Sequence, residues 1–284
     1  MVDEALREVF PPASDPSRDL VEAMNYSLFA GGKRLRPILC MAGAEAVGGE
    51  ASSVLPVACG LELIHTYSLI HDDLPVMDDD DMRRGKPTSH KVFGEAVALL
   101  AGDGLLTEAF HTMTLPGPSG IPDPEALLKV VGLVAEAAGY RGMVGGQVAD
   151  IQSEGLEVDP PLLEYIHTHK TGALITVSVV SGAILGGGSE EQVRAVTGYG
   201  KKIGLAFQIA DDILDIEGDS HELGKTTGSD EKKKKITYPA VFGLERSKEI
   251  QRGLVRDAIK ALDSFDQKAD PLREIAAYVI ERRR

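Results

Sequence analysis

The chain runs to 284 residues, 43% of them hydrophobic but only 5% aromatic, and carries a formal net charge of -14. Such a length fits one large domain or two modest ones and supplies ample apolar material for a core. So acidic a balance excludes nucleic acid as the main partner, because a phosphate backbone is held by a basic surface.

Ala, Leu, Glu and Gly dominate, and apolar residues recur at helical spacing rather than in alternation, so strands are nearly missing from the expectation. Residues 1–10 are acidic and lack the apolar core of a signal peptide. Helices are predicted over about 17–30 and 34–48, with ends good to ~2–4 residues here and below. Between them Gly31-Gly32 makes a tight turn before Lys33, Arg34 and Arg36. A solvated loop is one reading; the other is an anion-binding fork of Lys33 and Arg36 beside a backbone that glycine leaves open to close approach. The next helix, over about 52–73, holds Cys59 as its predecessor holds Cys40, and both read as buried free thiols. His65 lies two turns before Asp72 on nearly the same face, and taken alone it reads as readily as a core histidine. The helix ends at Asp72-Asp73 with Pro75 just beyond. An acidic run, Asp78–Asp81, leads straight into Arg83, Arg84 and Lys86.

Further helices are predicted over about 95–113, 124–139, 143–153 and 160–185. Lys170-Thr171 heads a very apolar stretch, where an ammonium needs an anionic partner. A helix over about 190–214 puts Asp211 and Asp215, four apart, on one face, with Gln208 three residues before Asp211. Lys225 and Lys235 follow, and helices over about 238–263 and 270–282 complete the chain. Ala173–Leu185 and Ile203–Leu214 are apolar on most of their circumference, which places them centrally. Pro and Gly punctuate the junctions and none reads as a flexible linker, so one all-α domain, 1–284, is expected. No stretch offers the ~18 uninterrupted apolar residues of a membrane span. A cytoplasmic location is the corresponding expectation.

The chemistry concentrates in two carboxylate clusters, Asp72-Asp73 with Asp78 and Asp211-Asp212 with Asp215. Each ends an apolar helical stretch and is followed by cations. Carboxylates on apolar helices are costly unless a divalent cation neutralises them, and hard oxygen donors beside basic groups suit Mg²⁺ shared with a substrate phosphate. Two such clusters suggest a diphosphate clamped between facing helix ends. Helix capping is the structural alternative. No Gly-flanked Ser elbow, no Cys beside a base, and no Walker or dinucleotide-binding glycine pattern is present, so neither nucleophilic nor kinase-like catalysis finds support.

With these residues in place, the chain resembles the trans-isoprenyl diphosphate synthases, and most of all the bacterial farnesyl diphosphate synthases. The resemblance runs through Gly31–Pro37, His65 to His90, Gly102-Asp103, Gly145-Gly146-Gln147, His169-Lys170-Thr171, Phe207–Asp215, Gly224-Lys225 and Lys235–Pro239. It implies a single α-helical domain around a deep central cavity, usually homodimeric. It implies that Asp72, Asp73, Asp78, Asp211 and Asp215 hold Mg²⁺, three ions per site, against the allylic diphosphate. By the same resemblance Arg83, Lys170, Thr171, Gln208 and Lys225 meet that diphosphate and Lys235 closes over it. Gly32, Lys33, Arg36, His65 and Arg84 match the residues that hold isopentenyl diphosphate. The reaction implied joins isopentenyl diphosphate to dimethylallyl or geranyl diphosphate by ionisation, condensation and elimination.

Physical logic agrees with that assignment. Ionisation to an allylic cation needs strong stabilisation of the leaving diphosphate, and the cation must be kept from water. Dipoles of the Thr171 hydroxyl and the Gln208 carbonyl can stabilise it without being nucleophilic enough to trap it. A terpene cyclase is the runner-up, but it has no need of a second anion pocket; a regulatory subunit typically lacks intact Asp motifs. Product length rests on Tyr67, followed by Ser68, five residues before Asp72. An aromatic there, with four residues between Asp73 and Asp78, is typical of the bacterial farnesyl enzymes. The expectation is therefore a fifteen-carbon product with Tyr67 as the cavity floor, and a twenty-carbon product is the alternative. Five residues rotate a helix by ~140°, so Tyr67 is not directly beneath Asp72, and a core tyrosine stays open as the other reading.

Overall fold

Apolar residues three and four positions apart bury one face of each helix, and the computed structural model of the chain is accordingly all-α. The structure describes residues 1–10, 17–155, 159–217 and 236–281. Its contacts gather into two units, Met1–Ile38 with Leu55–Ile121, and Leu39–Val54 with Pro122–Arg284.

The first unit contains α1 (Val2–Val9), α2 (Arg18–Leu28), the start of α3 (Leu35–Ala46), α4 (Leu55–Asp72), α5 (Ser89–Phe93) and α6 (Glu95–Met113). A short antiparallel hairpin, β1 (Met82–Arg83) with β2 (Lys86–Pro87), stands between α4 and α5 in the chain. The α4 helix packs along α6 and is buried on nearly every side, Leu61, Glu62, Leu63 and Ile64 included. The helical stretch Ala51–Asp72, though interrupted by Glu62 and His65, is long and apolar enough to cross a membrane by length and composition, but 72% of its apolar 18-residue window is buried inside the protein. That is the burial of a core helix. Among the described residues no other helix meets the same test.

The second unit is built on α11 (Glu190–Glu217), which packs against α10 (Ala173–Leu185), α13 (Leu244–Lys260) and α14 (Asp270–Glu281). Tyr199 of α11 is fully buried, and its hydroxyl donates to the Leu272 carbonyl at 2.6 Å, tying α11 to α14. The remaining helices are α7 (Pro124–Ala138), α8 (Met143–Ser153), α9 (Pro160–Ile166) and α12 (Tyr238–Phe242). The Asp123 side chain accepts from the Ala126 N–H at the start of α7, and Pro124 fills the first turn, where its missing N–H is harmless.

Several elements among the described residues differ from the sequence expectation. The α1 and α5 helices are too short to show a period. A π turn, His167–Gly172, interrupts the helix expected over 160–185. Gly243, at φ 80°, divides the helix expected over 238–263 into α12 and α13, because an L side chain rarely adopts that backbone. Cys40 and Cys59 are buried free thiols as expected, and burial pushes the Cys59 thiol up to about 12, so it stays protonated.

Candidate active site

In the first unit α4 delivers two consecutive aspartates, and about 100° of helical rotation turns them apart. Asp72 is half-buried, while Asp73 is only 3% exposed. Arg83 on β1 holds both Asp73 oxygens, with Nε at 2.8 and 2.9 Å and Nη2 at 2.6 Å. Burial raises the Asp73 carboxyl pKa against the lowering pull of Arg83. Arg83, expected on the diphosphate, thus has an internal partner, and Asp73, expected on metal, is that partner. Past the helix end the Asp78 N–H donates to the Asp72 carbonyl at 2.8 Å, which folds the loop back and returns Asp78 to the end of α4. Asp72 and Asp78 are both half-buried, and an oxygen-only donor pair of this kind fits a hard divalent cation. Ligand atoms of Asp79, Asp81 and His90 also lie within 4.8 Å of one another, a grouping that joins His90, unassigned from the sequence, to the acidic run. Its signal was an acidic run and a histidine, which the β1–β2 hairpin brings together. Lys91 holds Asp81 at 2.7 Å.

Cations crowd a second place in this unit. Gly32 sits at φ 130°, and the Arg84 guanidinium lies 2.6–2.8 Å from where a Cβ there would stand, so only glycine leaves it room. An Arg84 nitrogen donates to the Gly31 carbonyl. Lys33 is exposed, and Arg36 and His65 are half-buried. Arg34, in the middle of the basic run, does something else: it bonds Asp3 at 2.9 Å, Glu62 at 2.8 Å and the Leu28 carbonyl at 2.8 Å. Desolvation first, then the charges of Arg36, Arg84, Arg83 and Arg34, hold the His65 pKa well below 6.5. The site is electropositive around a neutral imidazole, a setting that favours an anion.

That shift has a consequence for stability. The unfolded chain takes up the His65 proton near pH 6.5 and the folded chain only at lower pH, so stability is lost as pH falls below 6.5. Substituting His65→Gln is expected to flatten the fall in melting temperature between about pH 6.5 and about pH 5. Thermal melts of both proteins across that window check it, and parallel curves would contradict the assignment.

In the second unit the π turn carries Lys170 and Thr171. Turns of this type bulge a helix and are frequent at functional sites. Lys170 Nζ donates to Asp150 of α8 at 2.6 Å, so the anionic partner that its apolar setting demands is a side chain. A Cβ on Gly146 would stand 2.2 Å from the Lys170 backbone nitrogen, and this contact seats α8 against the turn. The Thr171 hydroxyl bonds the Gln208 carbonyl oxygen at 2.7 Å. Gln208 reaches Asp212 at 3.3 Å rather than Asp211 beside it. Asp212 also accepts from His167 Nε2 at 2.8 Å and from the Tyr238 N–H at 2.9 Å. His167, Lys170, Thr171, Gln208 and Asp212 line a cleft with Asp150, Ile166 and Thr237, and Ile236 joins that lining to a core of Leu163, Ile209, Ile213 and Tyr238. Asp211 is half-buried and Asp215 is 5% exposed. Lys225 and Lys235 lie outside the described residues.

Each unit therefore treats its Asp pair alike. The first aspartate, Asp72 or Asp211, is half-buried, and the second, Asp73 or Asp212, is buried and satisfied by donors of the fold.

The family pattern described as Polyprenyl synthetase matches residues 17–278. A chloroplastic heterodimeric geranylgeranyl pyrophosphate synthase large subunit of Arabidopsis thaliana is 50% identical over 99% of this chain and 76% of its own length. Geranylgeranyl pyrophosphate synthase 12 of the same plant, also chloroplastic, is 50% identical over 98% of this chain and 78% of its own. A crystal structure of an FPP/GFPP synthase from Zymomonas mobilis superposes with a TM-score of 0.87 at 41% identity, covering 98% of this chain and 94% of that one. The fifteen-carbon product expected from Tyr67 is overturned by the two more similar relatives, both named for geranylgeranyl. The inference failed because it passed from one residue type to product length. The Tyr67 ring is 6% exposed and packs edge-on against His71 at 5.6 Å, while His71 bonds the Leu99 carbonyl of α6 at 2.9 Å. The ring is thus buried against His71 of its own helix, and it is His71 that reaches α6.

Proposed function

Because the chain belongs to the polyprenyl synthetase family, we propose that it condenses isopentenyl diphosphate with an allylic diphosphate and carries elongation to twenty carbons, geranylgeranyl diphosphate. It is a prenyltransferase. The observation that carries the product is the 50% identity, along nearly the whole chain, to synthases named for geranylgeranyl.

Support for the chemistry comes from the chain's own residues. The cations around His65 suit the diphosphate of isopentenyl diphosphate, with Lys33, Arg36 and Arg84 as its donors and Gly32 leaving room for them. Arg83, Lys170, Lys225 and Lys235 are assigned to the allylic diphosphate. Mg²⁺ is the cation that the oxygen-only sets Asp72 with Asp78, and Asp211 with Asp215, would hold. When bound it supplies charge neutralisation of the leaving diphosphate. The apolar core adjoining the second cleft keeps water from the reacting carbons, and the Thr171 and Gln208 oxygens face the charge that develops there. A homodimer is supported by the exposed apolar positions Val144, Val148 and Ile151, which share one face of α8. The relatives' names, one heterodimeric and both chloroplastic, lend no support to a homodimer or to a cytoplasmic location.

Incubating the purified chain with Mg²⁺, labelled isopentenyl diphosphate and dimethylallyl diphosphate tests the proposal. Chromatography of the dephosphorylated products should show mainly a twenty-carbon alcohol. No elongated product would refute condensation, and elongation that stops at fifteen carbons would refute the product assignment alone.

A further inference from the structure

Three donors converge on Asp212: His167 Nε2 at 2.8 Å, the Tyr238 backbone N–H at 2.9 Å and the Gln208 side-chain nitrogen at 3.3 Å. An ionised carboxylate offers only lone pairs, so the Gln208 nitrogen must face it and the Gln208 carbonyl oxygen must face away. That oxygen meets the Thr171 hydroxyl at 2.7 Å. An amide oxygen also only accepts, so the single hydroxyl proton of Thr171 is committed to Gln208. The Thr171 oxygen keeps its lone pairs for the cleft that both residues line. Reversing the Gln208 amide would undo each of these directions. His167 is 5% exposed, and its other ring nitrogen, Nδ1, has no hydrogen-bond partner among the described residues. An imidazole buried on those terms is more than packing calls for, since an apolar ring would fill the place without an unmet nitrogen.

We propose that His167 and Asp212 are positioning residues that set the direction of the Gln208–Thr171 hydrogen bond and so line the cleft with oxygen lone pairs toward an allylic cation. This rests on the prenyl-transfer reading and adds to it the residues that fix the polarity of the cleft. His167 acts through Asp212, and Asp212 acts through Gln208.

Two variants separate direction from packing. His167→Phe keeps a ring and loses the donor, whereas His167→Gln puts an amide N–H where Nε2–H stood. With dimethylallyl and isopentenyl diphosphates, His167→Phe is expected to lower kcat about tenfold to a hundredfold while KM for each diphosphate stays within about twofold; His167→Gln should recover kcat to within about threefold of wild type. In nitrogen-15 spectra of the ligand-free protein, the Gln208 side-chain amide protons should be protected from exchange in wild type and in His167→Gln, and unprotected in His167→Phe. A full kcat in His167→Phe would overturn the proposal. So would equal losses in the two variants, or a His167→Gln chain that does not fold, since each makes the role one of packing. Should wild type itself make no elongated product, the prenyl-transfer reading fails, and the Gln208 amide signal still decides whether His167 holds the network.

Discussion

Replacing Asp72 or Asp211 by alanine is expected to lower turnover about a hundredfold to a thousandfold, the scale of a lost metal contact to developing charge. The melting temperature should hardly move, because both side chains are half-buried and end-of-helix capping contributes only ~1 kcal/mol. Asp212, the buried neighbour of Asp211, is expected to cost stability as well as turnover when replaced. Asp212→Ala leaves the His167, Tyr238 and Gln208 donors without their acceptor, and each buried donor so stranded costs about 1–3 kcal/mol. Turnover measured beside a thermal melt for all of these variants reads the contrast. Near-normal turnover in Asp72→Ala or Asp211→Ala, or a collapse of their melting temperature, would remove the metal assignment.

Arg34→Ala should be among the most destabilising single changes on the surface-facing turns, about 3–5 kcal/mol, the range for removing one partner of a buried ion pair. Its side chain is 11% exposed and its partner Glu62 only 2%. The second Glu62 oxygen has no hydrogen-bond partner among the described residues, so a lone Glu62 would be stranded in the α4 core. Arg34→Lys should recover little, because one ammonium cannot reproduce a planar fork that meets Asp3, Glu62 and the Leu28 carbonyl. Adding Glu62→Leu to Arg34→Ala should restore much of the loss, since a hydrophobic replacement of the pair leaves no buried charge. Denaturant midpoints measure all three. A single-variant loss under about 1 kcal/mol would place Arg34 with Lys33 and Arg36 as a ligand of the anion site instead.

That contrast marks what the sequence could and could not reveal. The long helices were legible because their apolar spacing persists for many turns, and Asp72 could be placed at a helix end because Pro75 follows it. The basic run was legible as a unit but not residue by residue. Nothing local separates Arg34 from Arg36; the partners that do so, Asp3 and Glu62, lie 31 and 28 residues away. Lys170 asked for an anion, and Asp150, 20 residues earlier, supplies it. Asp212 could not be told from Asp211 without knowing that His167, 45 residues away, faces one and not the other. Tyr67 shows the reverse failure. Its type was read correctly as bulky and near the cluster, but product length depends on the whole path of a growing chain, and a ring packed against His71 does not report on that path.

The π turn at His167–Gly172 has a consequence for chain length itself. A π turn closes its hydrogen bonds over one more residue than an α turn does. Loss of a single codon from that segment could therefore be absorbed as ordinary α-helix, without a gap in the ladder and with Ala173 onward undisturbed. The helix on either side of the deletion would keep its facing, and only residues inside the former π turn would change direction. Register within the turn, not composition, would change, and the contacts that His167, Lys170 and Thr171 make from it could not all be kept. Most single-residue deletions in helices announce themselves by misfolding. Here the architecture can conceal one, so a relative with an intact set of acidic and basic residues but one residue fewer in this segment would be a folded protein with a silent site.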